Sequence, residues 1–167
     1  IGDGAMGFWS ALQEVFPATR EQRCWVHKTA NVLDKLPKSV QADGKKHLHE
    51  ICYSPTRKAA EAAIRDFSRV FGDRYPKAVA CLVENQEEML AFYSFPAAHW
   101  RHIRSTNVIE STFGGVRLRT YKTKGAGSEN AAELMVFKLI LEAEKRWNKL
   151  HKASFLKLVL QKEKFID

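Results

Sequence analysis

The stretch Ile1-Gly2-Asp3-Gly4-Ala5-Met6-Gly7 (IGDGAMG) decides how the rest of the chain is read. Gly2, Gly4 and Gly7 satisfy G-x-G-x-x-G, a pattern that wraps a dinucleotide pyrophosphate at a helix N-terminus. Here an aspartate stands inside the pattern, where a pyrophosphate disfavours negative charge. The fingerprint also needs an acidic residue about 20 positions on, at the end of a second strand. Glu21 lies before the β-prone run Arg23-Cys24-Trp25-Val26, not after it. The dinucleotide reading therefore fails. Two readings of Asp3 remain. It caps the helix that follows, or it sits at the carboxyl end of a strand, where α/β sheets present active-site carboxylates. In the second case Gly2 and Gly4 leave room for a metal ion or a phosphate.

Outward from this stretch, periodicity predicts a helix from Gly4 or Ala5 to Val15, with Phe8, Leu12 and Val15 on one face. Pro17 ends it, and Arg23–Val26 reads as a strand. Everything beyond reads as helix: His27–Leu36, Ser39–Cys52, a segment opened by Ser54 as cap with Pro55 at its first position, and one from Pro76. Ala60, Ile64, Phe67 and Phe71 fall on one face before Gly72, and Ala78, Leu82 and Met89 repeat the pattern. Ser94-Phe95-Pro96 interrupts the chain. Asn107–Leu118 forms a further helix, residues 122–128 a basic loop, and Ser128 caps a long helix to Leu150 with Val136, Ile140, Ala143 and Trp147 in a stripe. Phe155, Leu156, Val159 and Leu160 suggest a last amphipathic helix. The expected class is α/β but mostly helical, a strand–helix–strand start giving way to helices, with most of a sheet expected upstream of Ile1.

Composition narrows the function. No run of about 18 apolar residues exists, which argues against a membrane span, and no secretory leader is visible. Three widely spaced cysteines make no disulfide framework and suit a reducing cytosol. Lys and Arg number 27 against 19 acids, a net charge of +8, which points to a polyanion such as nucleic acid. Between Arg101 and Lys124 the basic residues are Arg101, Arg104, Arg117, Arg119, Lys122 and Lys124, and the one acid is Glu110.

Glu110 has two readings. With Asn107 as N-cap it makes a capping-box-like pair. With Arg117 two helical turns on, and so on nearly the same face, it is a metal-holding carboxylate beside a phosphate-binding arginine. Gly114-Gly115 between them is a place for the helix to bend. Cys24-x-x-His27 is half a zinc site. His47, His49 and Cys52 could add ligands, but their spacing matches no zinc pattern, so Cys24 reads as a buried strand residue and His27 as a border of the site. Trp100 either stacks on a base or packs in the core.

Taken together, IGDGAMGFWSALQEVFP, RCWVHKTANVLDKLPK and RSTNVIESTFGGVRLRTYKTKGAGS resemble, in order and spacing, the Mutator-like transposases of bacterial insertion sequences. The resemblance spans essentially the whole chain. It implies the C-terminal part of an RNase H-like catalytic domain interrupted by an all-helical insertion: residues 1–27 as partial core, 28–100 as insertion, 101–167 as returning core helices. It implies a D-D-E triad in which Asp3 is the second Asp and Glu110 the Glu. The first Asp is expected on a strand upstream, so the isolated chain is expected to be inactive. Cys24 and His27 match the family's C-x-x-H signature, and Arg117 its basic residue seven positions past the Glu. Implied with these are Mg²⁺ or Mn²⁺ as cofactor in a two-metal phosphoryl transfer. DNA contacts would come from Arg104, Arg117, Arg119, Lys122 and Lys124. Implied partners are double-stranded DNA with terminal inverted repeats, target DNA and a second copy of the chain, in the cytoplasm at the nucleoid. The alternatives are an inactive remnant that binds DNA or a partner, and a nuclease that cuts without joining.

Overall fold

The computed structural model describes residues 1–165. They form α1 (Met6–Val15), α2 (Trp25–Leu33), α3 (Lys38–Cys52), α4 (Arg57–Phe71), α5 (Pro76–Val83), α6 (Gln86–Leu90), a 3₁₀ turn (Ala91–Ser94), α7 (Ala97–Ile103), α8 (Asn107–Thr123), α9 (Glu129–Glu144), a second 3₁₀ turn (Ala153–Phe155) and α10 (Leu156–Leu160). The chain divides into two compact units. One is Ile1–Ser105 together with the chain from His151 onward; the other is Thr106–Leu150.

The first unit is built on a helical core. On α4, Ala60, Ile64, Phe67 and Phe71 are all buried, as their spacing requires. They meet Leu48 and Ile51 of α3, Val32 of α2, and Ala78 and Leu82 of α5 in one apolar cluster. Thr56, not Ser54, caps α4: its side chain accepts the Ala59 N–H at 3.1 Å. Pro55 therefore lies outside the helix. Gly72 closes α4 with ordinary right-handed angles. Burial pushes the Cys52 thiol up to about 11, against the pull of the nearby Arg104 cation. The thiol is therefore held protonated at neutral pH and is a poor nucleophile.

Lys28 on α2 is buried among these helices at 2% exposure, and its Nζ donates to Asn85 Oδ1 at 2.8 Å. Burial drives its pKa below the ordinary lysine value; the Arg23 charge adds to this, while Cys81, Glu84 and Glu88 oppose it.

The expected strands are a correction. Among the described residues the β pairing is a single parallel bridge, Gly2 to Arg23. The Arg23–Val26 run stops being extended at Cys24, and Trp25 already opens α2. The described residues are thus mostly helical, as expected, but carry no β ladder. The α1 stripe follows suit. Leu12 is half-buried, while Phe8 and Val15 are exposed. One bridge offers no sheet face for α1 to pack on.

The second unit is the helical hairpin α8–α9. Ser128 caps α9 as expected, accepting the Ala131 N–H at 3.2 Å. The helix stops at Glu144, short of Leu150. Val136, Ile140 and Ala143 are half-buried, and Trp147 donates its ring N–H to Thr112 at 3.1 Å. Two helices alone cannot enclose an interior, so no side chain described on α9 is fully buried.

Two measurements test this packing. Phe67→Ala should cost about 3–5 kcal/mol of stability, read from urea midpoints. Because the unfolded chain binds the Lys28 proton more tightly than the folded one, stability should rise as pH climbs toward the ordinary lysine value of 10.5. Lys28→Met should flatten that alkaline rise.

Candidate functional site

In the first unit the site is organised by the segment Gln22–Trp25. Gly2 N–H donates to Gln22 C=O at 3.0 Å, and Cys24 N–H donates to Gly2 C=O at 2.8 Å. Residues 1–3 are thereby tied to one edge of this segment. At its other edge, Arg23 N–H donates to Glu88 C=O at 3.0 Å, and the Gln22 amide and the Trp25 indole N–H both donate to Met89 C=O. Trp25 N–H finishes the set on Arg104 C=O at 2.9 Å.

Asp3 follows directly from this anchor. Its side chain is exposed, and Oδ1 accepts the Ala5 N–H at 3.0 Å in an Asx turn. The N-cap of α1 is Ala5, with no side-chain cap, so the helix-cap reading of Asp3 does not hold. One carboxylate oxygen steadies the loop, and further lone pairs face outward. The glycines on either side each have a steric reason. A Cβ on Gly2 would lie 2.5 Å from the Trp9 ring. Gly4 has φ +100°, and the Arg23 guanidinium lies across it. Arg23 thereby brings a cation to the carboxylate's loop. It also lines a cavity of about 350 Å³ with Trp9, Glu21, Glu84 and Glu88.

Cys24 is fully buried and is the N-cap residue of α2. His27, half-buried, lies three residues on and so on the same face of α2. The other candidate zinc ligands are engaged elsewhere. His47 packs edge-on against Phe71 and approaches Asp66, and His49 stacks on Tyr53 at 4.1 Å. Trp100 belongs to the core: its ring meets Phe92 and Tyr93 edge-on, and its N–H donates to Phe95 C=O at 2.8 Å.

Arg104 is half-buried. Its guanidinium lies 4.3 Å from the Tyr53 ring centre and donates to Cys52 C=O at 2.8 Å. This engagement inside the unit was not legible in the sequence, where Arg104 is one more cation in a basic run.

In the second unit, Glu110 sits in the first turn of α8. The N-cap is Thr106, one residue before the expected Asn107, and its hydroxyl donates to Glu110 Oε1. This bond holds the half-buried carboxylate against its own helix start. α8 runs unbroken through Gly114-Gly115 to Thr123, past the expected end at Leu118. Glu110 and Arg117 therefore share a helix face. Arg117, Arg119, Lys122 and Lys124 are all exposed. The helix takes in the first residues of the expected basic loop and closes at Lys124, which has φ 53°.

Asp3 and Glu110 offer hard oxygen donors, the chemistry that suits Mg²⁺ or Mn²⁺ rather than a soft metal. Asp3 keeps lone pairs facing outward beyond its Asx turn. Glu110 offers a carboxylate whose Oε1 is oriented by the Thr106 hydroxyl.

Residues 1–150 match the family described as "Transposase, Mutator family". The whole chain is 52% identical to the transposase for insertion sequence element IST2 of Acidithiobacillus ferrooxidans, covering 56% of that protein. Over 159 residues it is 50% identical to the transposase for IS6120 of Mycolicibacterium smegmatis, covering 95% of this chain and 49% of the relative. A more distant relative, at 28% identity over 153 residues, is the transposase for IS905 of Lactococcus lactis, with 91% of this chain and 39% of the relative covered. The chain spans about half the length of the two nearer relatives it matches here.

The glycine at position 4 provides a direct check on the loop. Gly4→Ala should cost about 1–3 kcal/mol, because an L residue is strained at that positive φ even if Arg23 swings aside. Thermal melts should show the loss. Gly7→Ala, which meets open space, should show none.

Proposed function

Because the chain belongs to the Mutator family of transposases, we propose that it is the part of a DNA transposase that supplies two catalytic carboxylates and a phosphate-binding helix. The observation that carries the reading is the presentation of Asp3. The residue before it is tied to Gln22 and Cys24 through both its backbone groups, its neighbours are glycines, and its carboxylate is exposed. Such a group is held still without being consumed by the fold, which suits a metal ligand.

In this reading Asp3 and Glu110 hold Mg²⁺ or Mn²⁺, which when bound stabilises charge on the attacking and leaving oxygens of a phosphodiester displacement. A third carboxylate, the first Asp of the D-D-E set, comes from outside this chain. The surrounding architecture is RNase H-like, with residues 28–100 as its helical insertion. The chain's own residues do the rest. Thr106 orients Glu110 through its hydroxyl bond. Arg117, on the Glu110 face of α8, neutralises the reacting phosphate, and a planar guanidinium can grip it with two hydrogen bonds. Arg119, Lys122 and Lys124 extend the contact along the DNA backbone. Arg104, laid on Tyr53 and bonded to the Cys52 carbonyl within the first unit, adds a further DNA contact from there. Of the family signature pair, Cys24 holds the Gly2 carbonyl through its backbone N–H, and His27 follows in the first turn of α2.

The substrate is double-stranded DNA ending in the element's inverted repeats, joined afterwards to target DNA. The acting species is a dimer or larger assembly on paired ends, at the nucleoid. No helix among the described residues is long and apolar enough to cross a membrane.

With the protein expressed from its own gene and given end-containing DNA and Mg²⁺, Asp3→Ala and Glu110→Ala should each abolish cleavage while DNA binding persists. Cleavage that survives either change removes that residue from the catalytic set. Arg117→Ala should retain metal dependence, lower cleavage about 10²-fold or more, and reduce the salt dependence of binding by about one phosphate contact.

A further inference from the structure

The first unit carries a basic surface of its own. Three cavities of about 480, 590 and 660 Å³ adjoin one another there. The first and second share Thr56 and Phe165; the second and third share Phe95, Lys164 and Phe165. They form one open trough between the start of α4, the break at Ser94–Pro96 and the segment 151–165. Each cavity is of the size that takes a ligand of a few hundred daltons.

The walls of the trough are cationic. Arg20, Lys58, Lys152, Lys162 and Lys164 line it, and all are exposed. Of the acids that line it, Glu61 is paired with Arg57 at 2.9 Å, which leaves Glu163. The floor is aromatic: Phe95, Phe155 and Phe165 are half-buried, each offering part of a ring. Two of the cations already lie over these rings. The Arg20 guanidinium is 5.9 Å from the Phe95 ring centre and also donates to Ser94 Oγ at 2.9 Å. Lys152 Nζ is 5.5 Å from the Phe155 centre. Cations and ring faces thus occur side by side in the trough.

We propose that this trough binds single-stranded DNA, its lysines neutralising phosphates and its phenylalanines stacking bases. The proposal rests on the transposase reading above. The charge selects a polyanion, and the rings select among polyanions. A duplex hides its base faces in its own stack and would engage the lysines alone. An unpaired strand gives both parts of the trough something to hold, and stacking on aromatic side chains is tolerant of base identity. A guanidinium already lying on a ring is a ready second platform for a base.

The test is fluorescence anisotropy of the protein with a labelled oligothymidylate and with a duplex of equal length, across a series of salt concentrations. Circular dichroism checks that each variant is folded. Phe165→Ala should weaken oligothymidylate binding about tenfold without changing its salt dependence, and leave duplex binding as it was. Lys162→Glu with Lys164→Glu should lower the slope of log affinity against log salt by about 1.4 for the single strand. If the variants weaken single strand and duplex alike, the single-strand assignment is wrong. If neither responds while Arg117→Ala with Arg119→Ala weakens duplex binding, the trough is not a DNA site and the transposase reading stands. If the unaltered protein binds neither DNA, both fall together.

Discussion

The structure depends on how the short segment Gln22–Trp25 spends its backbone hydrogen bonds. One edge pairs with Gly2, through the Gln22 carbonyl and the Cys24 amide. The Arg23 amide goes to Glu88, the Trp25 amide to Arg104, and two side-chain donors converge on the Met89 carbonyl. Segments distant in sequence meet on these four residues. A buried backbone donor left without a partner would cost as much as a lost hydrogen bond, so the arrangement leaves little freedom. Its consequence is that Gly2, the residue before Asp3, has a fixed position. The aspartate inherits that position without being used to create it.

The helical part of the first unit was legible because it obeys one rule. Ala60, Ile64, Phe67 and Phe71 recur at the helical period, and all four are buried. Trp100 was ambiguous in the sequence, and its ring contacts with Phe92 and Tyr93 settle it as a packing residue. Helix ends were less legible. Ser54-Pro55 and Asn107 are good start signals, yet Thr56 and Thr106 hold the cap positions. The Thr56 hydroxyl takes the Ala59 N–H, whereas the Thr106 hydroxyl turns to the Glu110 carboxylate instead, and local sequence does not rank such neighbours. The strand at Arg23–Val26 was misread for a different reason. Its β-prone side chains are real, but Trp25 gains more by turning into α2, where its ring is buried and its indole N–H finds Met89. Tertiary packing overrides a propensity worth under about 1 kcal/mol.

The candidate site residues stood out in the sequence more than their surroundings did. An aspartate between glycines and a lone glutamate in a basic field are both unusual enough to single out. What the sequence did not reveal is how each is held: an Asx turn at Asp3, a threonine hydroxyl at Glu110, and a continuous α8 that keeps Glu110 and Arg117 on one face despite Gly114-Gly115. Nor did it separate the cations by task. Arg104 and Arg117 look alike in the sequence. One is laid on Tyr53 inside the fold, and the other is exposed. Non-local contacts draw that distinction, and only the folded chain has them.

The central claim is that Asp3 and Glu110 are metal carboxylates. Mn²⁺ is a spin-bearing substitute for Mg²⁺, and its electron paramagnetic resonance signal diminishes when the ion is bound by protein. Titrating Mn²⁺ into the protein expressed from its own gene, beside Asp3→Asn and Glu110→Gln, tests the claim directly. These substitutions keep size and shape and remove only the charge. The account predicts bound Mn²⁺ in the unaltered protein and a weaker complex in each variant. Equal Mn²⁺ binding by all three would contradict it.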